Sequence, residues 1–232
     1  SASLDAMSDQ PTFTFEEELQ RFPTSVVTEF KKAGELAQKQ LSKDEFQSWA
    51  HEGIAIAQHS FRSWEAASDY FKATPAIIAK LPFPQMQAWA QWGRSLSGDS
   101  PVISSAFFRG TAEALTHIAT EDLFQWADLG RGLYRGTWKS SSLCSTYFEV
   151  TPKLLSSLNL GELRELVGLV DTLSQKSYDL ANECLVASSE VFSKVGRPDR
   201  KSFLSLGAML ANHNWRDVKP YMENGARILG RL

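Results

Sequence analysis

The stretch Trp49-Ala50-His51-Glu52-Gly53 returns as Trp89-Ala90-Gln91-Trp92-Gly93 and again as Trp126-Ala127-Asp128-Leu129-Gly130. Looser copies begin at Leu166 and Phe203, so that the first positions lie 40, 37, 40 and 37 residues apart. A fixed period of this length is typical of helical-repeat proteins, in which each repeat buries an apolar face on the next. The sequence therefore predicts an all-α fold, an α-solenoid of about five repeats of 37–40 residues.

Each repeat also carries polar residues that suit helix N-caps, whose side-chain oxygen accepts a hydrogen bond from the first helical turn. A first helix, A, is expected to begin near Ser42, Pro82, Thr120 and Asn159. A second set of such residues is expected to begin a second helix, B. A third set, eleven residues further on, is expected to begin a short third helix, C. The second set is Ser63, Ser100, Ser140, Ser177 and Asn214, and the third is Thr74, Thr111, Thr151, Ser188 and Gly225.

Two prolines leave it open whether helices B and C are separate helices or one. Pro75 and Pro152 directly follow two of its threonines, which suits the first turn of a new helix. Helices B and C are then separate, or else they form one helix that is kinked at the proline.

The recurring glycine and tryptophan predict how the repeats pack. A glycine inside a helix costs about 1 kcal/mol relative to alanine, so its recurrence at Gly53, Gly93 and Gly130 indicates a close helix crossing. The tryptophans four residues earlier are expected to be buried between repeats. The extra residues of the longer repeats fall between Gly53 or Gly130 and the following serine, which places them in the A–B connection.

The pattern also predicts the organisation of the chain. Residues 1–10 show no periodicity and are expected to be disordered, and residues 11–40 are expected to cap the repeats with helices. The repeat domain covers 41–232, with units of about 41–80, 81–119, 120–158, 159–195 and 196–232. Because the sequence ends at Leu232 inside an apolar helix, we expect the chain to continue or this end to self-associate.

Composition limits the classes of function. Of the 232 residues 43% are hydrophobic and 22% charged, which is typical of a soluble globular protein. The net charge of −3 argues against a nucleic-acid partner. No apolar run is long enough for a membrane span and no signal sequence opens the chain, so the cytoplasm is expected. Cys144 and Cys184 are expected to be buried thiols in a reducing compartment.

No motif predicts catalysis or a cofactor. His51, His59, His117 and His213 lack the spacing of metal ligands, and Gly130-x-Gly132-x-x-x-Gly136 is one residue too long for a dinucleotide fingerprint. We therefore expect a protein that is not an enzyme and has no metal, nucleotide or other cofactor. The alternative is an enzyme whose site is dispersed over several helices, with His51, Glu52 and Asp128 as its residues.

One group of residues predicts a protein-binding surface, which we call the basic strip: Arg94, Arg131, Tyr134, Arg135 and Lys139. Arg94 and Arg131 each lie five residues after their tryptophan, and Arg135 and Lys139 continue from Arg131 at helical spacing. Such a surface suits an acidic partner. The alternative interpretation is ordinary solubilising charge.

The repeat resembles a known family. Trp-Ala-x-x-Gly, followed by Ser63-Trp64-Glu65-Ala66-Ala67-x-x-Tyr70-Phe71 and Thr74-Pro75, resembles helical repeats of some bacterial von Willebrand factor A proteins, the NorD/CoxE-like proteins. The resemblance covers roughly residues 41–232 and is clearest in the first and third repeats. Those proteins work beside MoxR-type AAA+ ATPases, so the resemblance implies an adaptor that presents target proteins to such an ATPase. The chain lacks the Asp-x-Ser-x-Ser metal site of the von Willebrand A domain, so only the role of the repeats carries over.

Overall fold

Capping residues begin the first helices of two repeats at the positions that the sequence predicts. In the computed structural model, which describes residues 15–231, Ser42 and Asn159 each form a capping box with the glutamate three residues later. Within the described range every regular element is helical and no strand occurs, which confirms the all-α fold class.

The helices follow one another with short connections. Residues 15–19 form α1, and 3₁₀ turns at Thr120–Asp122 and Trp215–Asp217 precede α7 and α12. The other elements are α2 (Thr24–Gln40), α3 (Lys43–Gln58), α4 (Trp64–Ile78), α5 (Phe83–Asp99), α6 (Pro101–Ala114), α7 (Leu123–Arg131), α8 (Trp138–Leu154), α9 (Leu160–Ser174), α10 (Tyr178–Lys194), α11 (Arg197–His213) and α12 (Val218–Leu229).

The described chain divides into two compact units, unit 1 up to Ala112 and unit 2 from Glu113. In unit 1 the A helices α3 and α5 pack together, and the B helix α4 packs on α2. In unit 2 the A helices α7, α9 and α11 pack in sequence, as do the B helices α8, α10 and α12. Packing of each helix on its counterpart in the next repeat is the arrangement of a helical-repeat protein.

The N-terminal helices cover the first repeat. Phe15 and Phe30 pack against Phe46, and the ring of Phe30 stacks on Trp49 with 5.5 Å between centroids. This contact is consistent with a capping role for the described part of residues 11–40. The predicted disorder of residues 1–10 lies outside the described residues.

The prediction of a separate helix C is wrong, and the alternative single helix is correct. Helix α4 runs through Pro75 and α8 runs through Pro152, so the threonine before each proline lies inside a helix. Threonine does not cap here because its hydroxyl has buried partners in the core, described below. Gly225 likewise lies inside α12.

The predicted caps of helix B are only partly correct. Ser177 caps α10 by accepting a hydrogen bond from the Leu180 amide. Ser140 does not cap α8, because Thr137 takes that role three residues earlier. The buried Ser140 hydroxyl instead accepts from the Arg135 amide at 2.9 Å and so fixes the connection before α8. Ser63 and Asn214 make no side-chain capping bond.

One set of contacts joins helix A to helix B in the third repeat. The Trp126 indole Nε1–H donates to Thr151 Oγ1 at 2.8 Å, and the Thr151 hydroxyl donates to the Tyr147 carbonyl at 2.7 Å. The Tyr147 hydroxyl then donates to the Trp126 carbonyl at 2.7 Å. These buried polar groups are therefore satisfied by one another, as a dry helix interface requires.

The same contacts recur in unit 1. Trp49 donates to Thr74 at 2.9 Å, Trp89 donates to Thr111 at 3.0 Å, and Tyr70 donates to the Trp49 carbonyl at 2.9 Å. Trp49, Trp89 and Trp126 are each at most 1% exposed, and Trp89 stacks on Tyr70 of the preceding repeat. The predicted burial of the three tryptophans is confirmed.

In the fourth and fifth repeats the tryptophan donor and the threonine acceptor are both replaced. Where Phe203 replaces the tryptophan, Gly225 replaces the threonine, and a Cβ on Gly225 would lie only 3.0 Å from the Phe203 ring. Where Leu166 replaces the tryptophan, the Ser188 hydroxyl bonds to the Leu185 carbonyl of its own helix. Neither repeat is left with an indole N–H that has lost its acceptor.

The recurring glycine allows an aromatic ring to lie against helix A. A Cβ on Gly53 would lie 2.0 Å from the Phe71 ring, and a Cβ on Gly93 would lie 1.9 Å from the Phe108 ring. At Gly130 the nearest atoms are Tyr147 Cδ1 at 2.4 Å and Phe148 Cζ at 2.6 Å. The close crossing predicted from the glycines is therefore present.

We predict that Trp126 and Thr151 are energetically coupled. Trp126→Ala should cost about 3–5 kcal/mol of the free energy of unfolding, as truncation of a core aromatic does. Thr151→Val should cost about 1–3 kcal/mol, because it leaves a buried indole N–H without an acceptor. In a Trp126→Phe background Thr151→Val should cost clearly less. Urea unfolding of Trp126→Phe, Thr151→Val and the double variant Trp126→Phe/Thr151→Val measures the coupling, and additive losses would contradict it.

We predict opposite effects for two glycine substitutions in unit 2. Gly130→Ala should destabilise by about 1–3 kcal/mol, because its methyl group overlaps the rings of Tyr147 and Phe148. Gly168→Ala is the matched control on α9, where no atom lies within 4 Å of the added Cβ. It should stabilise by about 0.5–1 kcal/mol through helix propensity. Equal melting temperatures for the two variants would contradict the close crossing.

Candidate protein-binding surface

The structure places the residues of the basic strip in different elements. Arg94 lies on α5 in unit 1, Arg131 ends α7 in unit 2, and Tyr134 and Arg135 lie in the connection to α8. Lys139 is in the first turn of α8. The helical spacing expected from Arg131 to Lys139 is wrong, because α7 ends at Arg131 and the chain turns at Gly136 with a φ of +78°.

Three cations of the strip have carboxylate partners within the chain. Arg94 Nη1 lies 3.2 Å from Glu52 Oε1, Arg135 Nη2 lies 2.6 Å from Asp171 Oδ1, and Lys139 Nζ lies 3.7 Å from Asp179 Oδ1. Their side chains are still 38%, 46% and 44% exposed. Arg131 and Tyr134 also interact with other residues. The strip therefore combines internal pairing with solvent access.

These pairs join neighbouring repeats, and two more pairs join the B helices. Arg109 Nη1 contacts Asp69 Oδ2 at 3.0 Å in unit 1, and Lys219 Nζ contacts Glu183 Oε2 at 3.2 Å in unit 2. Exposed pairs of this kind contribute at most about 1 kcal/mol each. They join adjacent repeats and contribute little to the stability of the fold.

Two exposed aromatic residues are the feature that the sequence analysis missed. Phe61 is 87% exposed and Trp138 is 78% exposed, and each lies two residues before the serine of its repeat, Ser63 or Ser140. The Arg62 guanidinium lies 5.6 Å from the Phe61 ring, and Lys139 Nζ lies 5.7 Å from the Trp138 ring. The signal was an aromatic residue followed by a cation at the same position of two repeats.

Two further pairs lie in other connections. Arg21 lies 5.1 Å from the Phe22 ring between α1 and α2, and Arg216 lies 4.8 Å from the Trp215 ring between α11 and α12. A cation above an aromatic face is attracted by the ring quadrupole. Phe22 and Trp215 are half-buried, in contrast to the exposed rings of Phe61 and Trp138.

The residues named for the enzyme alternative have structural contacts. The His51 ring meets Phe15 edge-on with 4.9 Å between centroids, Glu52 pairs with Arg94, and Asp128 lies exposed on α7 of unit 2. Within residues 15–231 no group of three histidine, cysteine or acidic side chains is placed to hold a metal ion. The helices of that range include none that is long and apolar enough to cross a membrane.

The two cysteines are free and buried, in agreement with the sequence analysis. The Cys144 thiol donates to the Gly130 carbonyl at 3.0 Å and so contributes to the crossing of α7 and α8. Burial raises the pKa of the Cys184 thiol to about 11, which keeps it protonated at neutral pH. A protonated buried thiol is a poor nucleophile.

Burial also perturbs the acid that pairs with Arg94. It raises the pKa of the Glu52 carboxyl above the usual value of 4.5, and the nearby Arg94 charge only partly opposes this. Glu52 Oε2 is buried and accepts no hydrogen bond from the described residues. The surroundings of Glu52 therefore favour the protonated carboxyl group more than water does.

We predict a pH dependence of stability that Glu52 causes. The folded protein keeps the Glu52 proton to a higher pH than the unfolded chain, so this stabilisation is full below the unfolded pKa and is lost as the pH rises through the folded pKa. The melting temperature of the wild type relative to Glu52→Gln should therefore fall as the pH rises above the usual carboxyl value of 4.5. Glu165→Gln, an exposed acid on α9, controls for the loss of one carboxylate. A difference that stays constant with pH would contradict the prediction.

Comparison with known proteins gives no relative: no family model, no curated protein and no solved structure matches the chain. The resemblance to NorD/CoxE-like repeats therefore stays a hypothesis based on the residues quoted for it.

Proposed function

We propose that the protein is a non-enzymatic scaffold that binds an acidic partner protein through the A–B connections. The observation that carries the proposal is the repeated pair of an exposed aromatic residue and a cation, Phe61 with Arg62 and Trp138 with Lys139. Single exposed apolar residues are common on soluble proteins, and this pair is singled out because it recurs at the same position in two of the five repeats.

The chemistry around Trp138 supports an acidic partner. Tryptophan, tyrosine and arginine are the residues in which interface binding energy is concentrated. Tyr134 and Arg135 lie in the connection before α8, and Trp138 is the first residue of α8. Arg135 bonds to Asp171 through one terminal nitrogen, and a guanidinium carries further N–H donors. A partner carboxylate therefore binds Arg135 without displacing Asp171.

The resemblance adds a narrower hypothesis, in which the scaffold presents a target protein to an AAA+ ATPase. The free thiols of Cys144 and Cys184 are compatible with the cytoplasm as its compartment. Self-association through the last repeat is the further part of this hypothesis. It is supported by Leu206 and Met209 on α11, which are 52% and 59% exposed.

A capture experiment with matched variants tests the proposed function. The wild type, Trp138→Ser and Arg135→Gln/Lys139→Gln serve as baits in a lysate of the native host, with cross-linking to locate the contacts. We expect both variants to recover about tenfold less partner, and the wild type to lose partner as salt increases. Arg164→Gln/Lys201→Gln removes the same charge from exposed positions on α9 and α11 and should recover normal amounts.

The melting temperature of each variant is measured in parallel to exclude unfolding. Equal recovery by the wild type, Trp138→Ser and Arg135→Gln/Lys139→Gln would show that the basic strip carries only solubilising charge.

A further inference from the structure

Two grooves between B helices carry the same kinds of side chain. Groove 1 in unit 1 has a volume of about 310 Å³ and lies between α2, α4 and α6. Groove 2 in unit 2 has a volume of about 230 Å³ and lies between α8 and α10. Neither groove includes a residue of the packing network formed by the tryptophans and threonines.

The lining residues correspond by repeat position. Four of them follow the repeat serines Ser63 and Ser177 at identical distances, and a serine comes from the preceding B-type helix in each groove. The corresponding pairs are Trp64 and Tyr178, Glu65 and Asp179, Ser68 and Asn182, Asp69 and Glu183, and Ser25 and Ser142. An aromatic wall with two carboxylates has thus been kept at the same place in two repeats.

The two carboxylates of each groove differ in their surroundings. The inner one pairs with a cation of the following B helix, Asp69 with Arg109 and Glu183 with Lys219. The outer one is open to solvent: Glu65 is exposed, and the Asp179 side chain is 81% exposed. The charged side chains that line groove 1 are Glu65, Asp69 and Arg109, which leaves one net negative charge.

Groove 1 also contains a buried serine hydroxyl beside the inner carboxylate. Ser105 is only 5% exposed, and its Oγ accepts no hydrogen bond from the described residues. A hydrogen bond from Ser105 to Asp69 helps to lower the pKa of that carboxyl, against the larger upward effect of burial. A serine oxygen that donates to Asp69 still has lone pairs, so Ser105 can accept a hydrogen bond from a donor that enters the groove.

We propose that groove 1 binds an arginine side chain of a basic segment in a partner protein, at the place that Lys139 takes in groove 2. The methylene stem packs on the Trp64 indole and on Val102, which is 54% exposed. The guanidinium donates to the Glu65 carboxylate and to Ser105 Oγ. Arginine fits better than lysine because its planar head stacks on an aromatic face and carries several donors.

The chain itself contains an example of this chemistry. In groove 2 the Lys139 ammonium lies 5.7 Å from the Trp138 ring and 3.7 Å from the Asp179 carboxylate. A cation is therefore accommodated between an aromatic face and the outer carboxylate. Glu65 in groove 1 has the corresponding position, and the carboxylates disfavour an anionic ligand by charge repulsion.

The test uses N-acetyl-arginine amide as the probe and the indole N–H signals of ¹⁵N-labelled full-length protein as the readout. Trp64 lines groove 1 and Trp138 lines groove 2, so the two sites are observed separately, with assignments from Trp64→Phe and Trp138→Phe. We expect a saturable shift of the Trp64 signal and none of the Trp138 signal, because Lys139 already lies beside Asp179 in groove 2. N-acetyl-citrulline amide, a neutral analogue of nearly the same shape, should give no saturable shift.

Variants then assign the contacts. Glu65→Gln and Ser105→Ala should each weaken binding at Trp64, Glu65→Gln by about tenfold. Asp179→Asn should leave binding at Trp64 unchanged. Glu165→Gln is the matched control and should also leave it unchanged. The melting temperature of each variant shows that the fold is intact.

The proposal would be overturned by equal shifts with the citrulline analogue, by an unchanged affinity of Glu65→Gln at Trp64, or by the absence of a saturable shift. Its outcome is independent of the proposed acidic partner. Arg135→Gln, which weakens the basic strip, should leave the arginine affinity of groove 1 unchanged.

Discussion

The hydrogen bond from a buried indole N–H to a threonine hydroxyl is the interaction on which the repeat depends. An indole buried between helices loses water as a hydrogen-bond acceptor, and an unsatisfied donor there costs about 1–3 kcal/mol. Thr74, Thr111 and Thr151 supply the acceptor from helix B, and each donates a hydrogen bond from its own hydroxyl to a carbonyl one turn earlier. This network requires the threonine to lie inside a helix, which is why B and C form one helix.

The architecture could be predicted from the sequence because the repeat period, the recurring glycine and the recurring tryptophan are each determined by how the helices pack. The threonines were misassigned because the hydroxyl that caps a helix also satisfies a buried donor, and the choice depends on which helix lies opposite. Ser140 failed as a cap for a similar reason, since its hydroxyl fixes the preceding connection. Local residue preference cannot distinguish these cases without the neighbouring helix.

The candidate sites were harder to predict than the fold. The basic strip assumed that one helix continued from Arg131 to Lys139, whereas α7 ends at Arg131. The grooves depend on which B-helix positions face the next repeat, and this is set by tertiary packing. Phe61 and Trp138 could have been found from sequence, because an aromatic residue followed by a cation stands at the same repeat position in both.

A repeat constrains its own core and leaves other positions free to vary. Wherever the tryptophan changes, the threonine position changes with it, as Phe203 with Gly225 and Leu166 with Ser188 show. A side chain retained at an exposed position has no such partner in the core to maintain it. The outer carboxylates Glu65 and Asp179 lie in the first turns of α4 and α10, where the helix dipole favours a negative charge, and Asp179 also pairs with Lys139. The helix ends therefore account for the two acids, and a ligand of groove 1 would use a carboxylate that the fold already favours at this position.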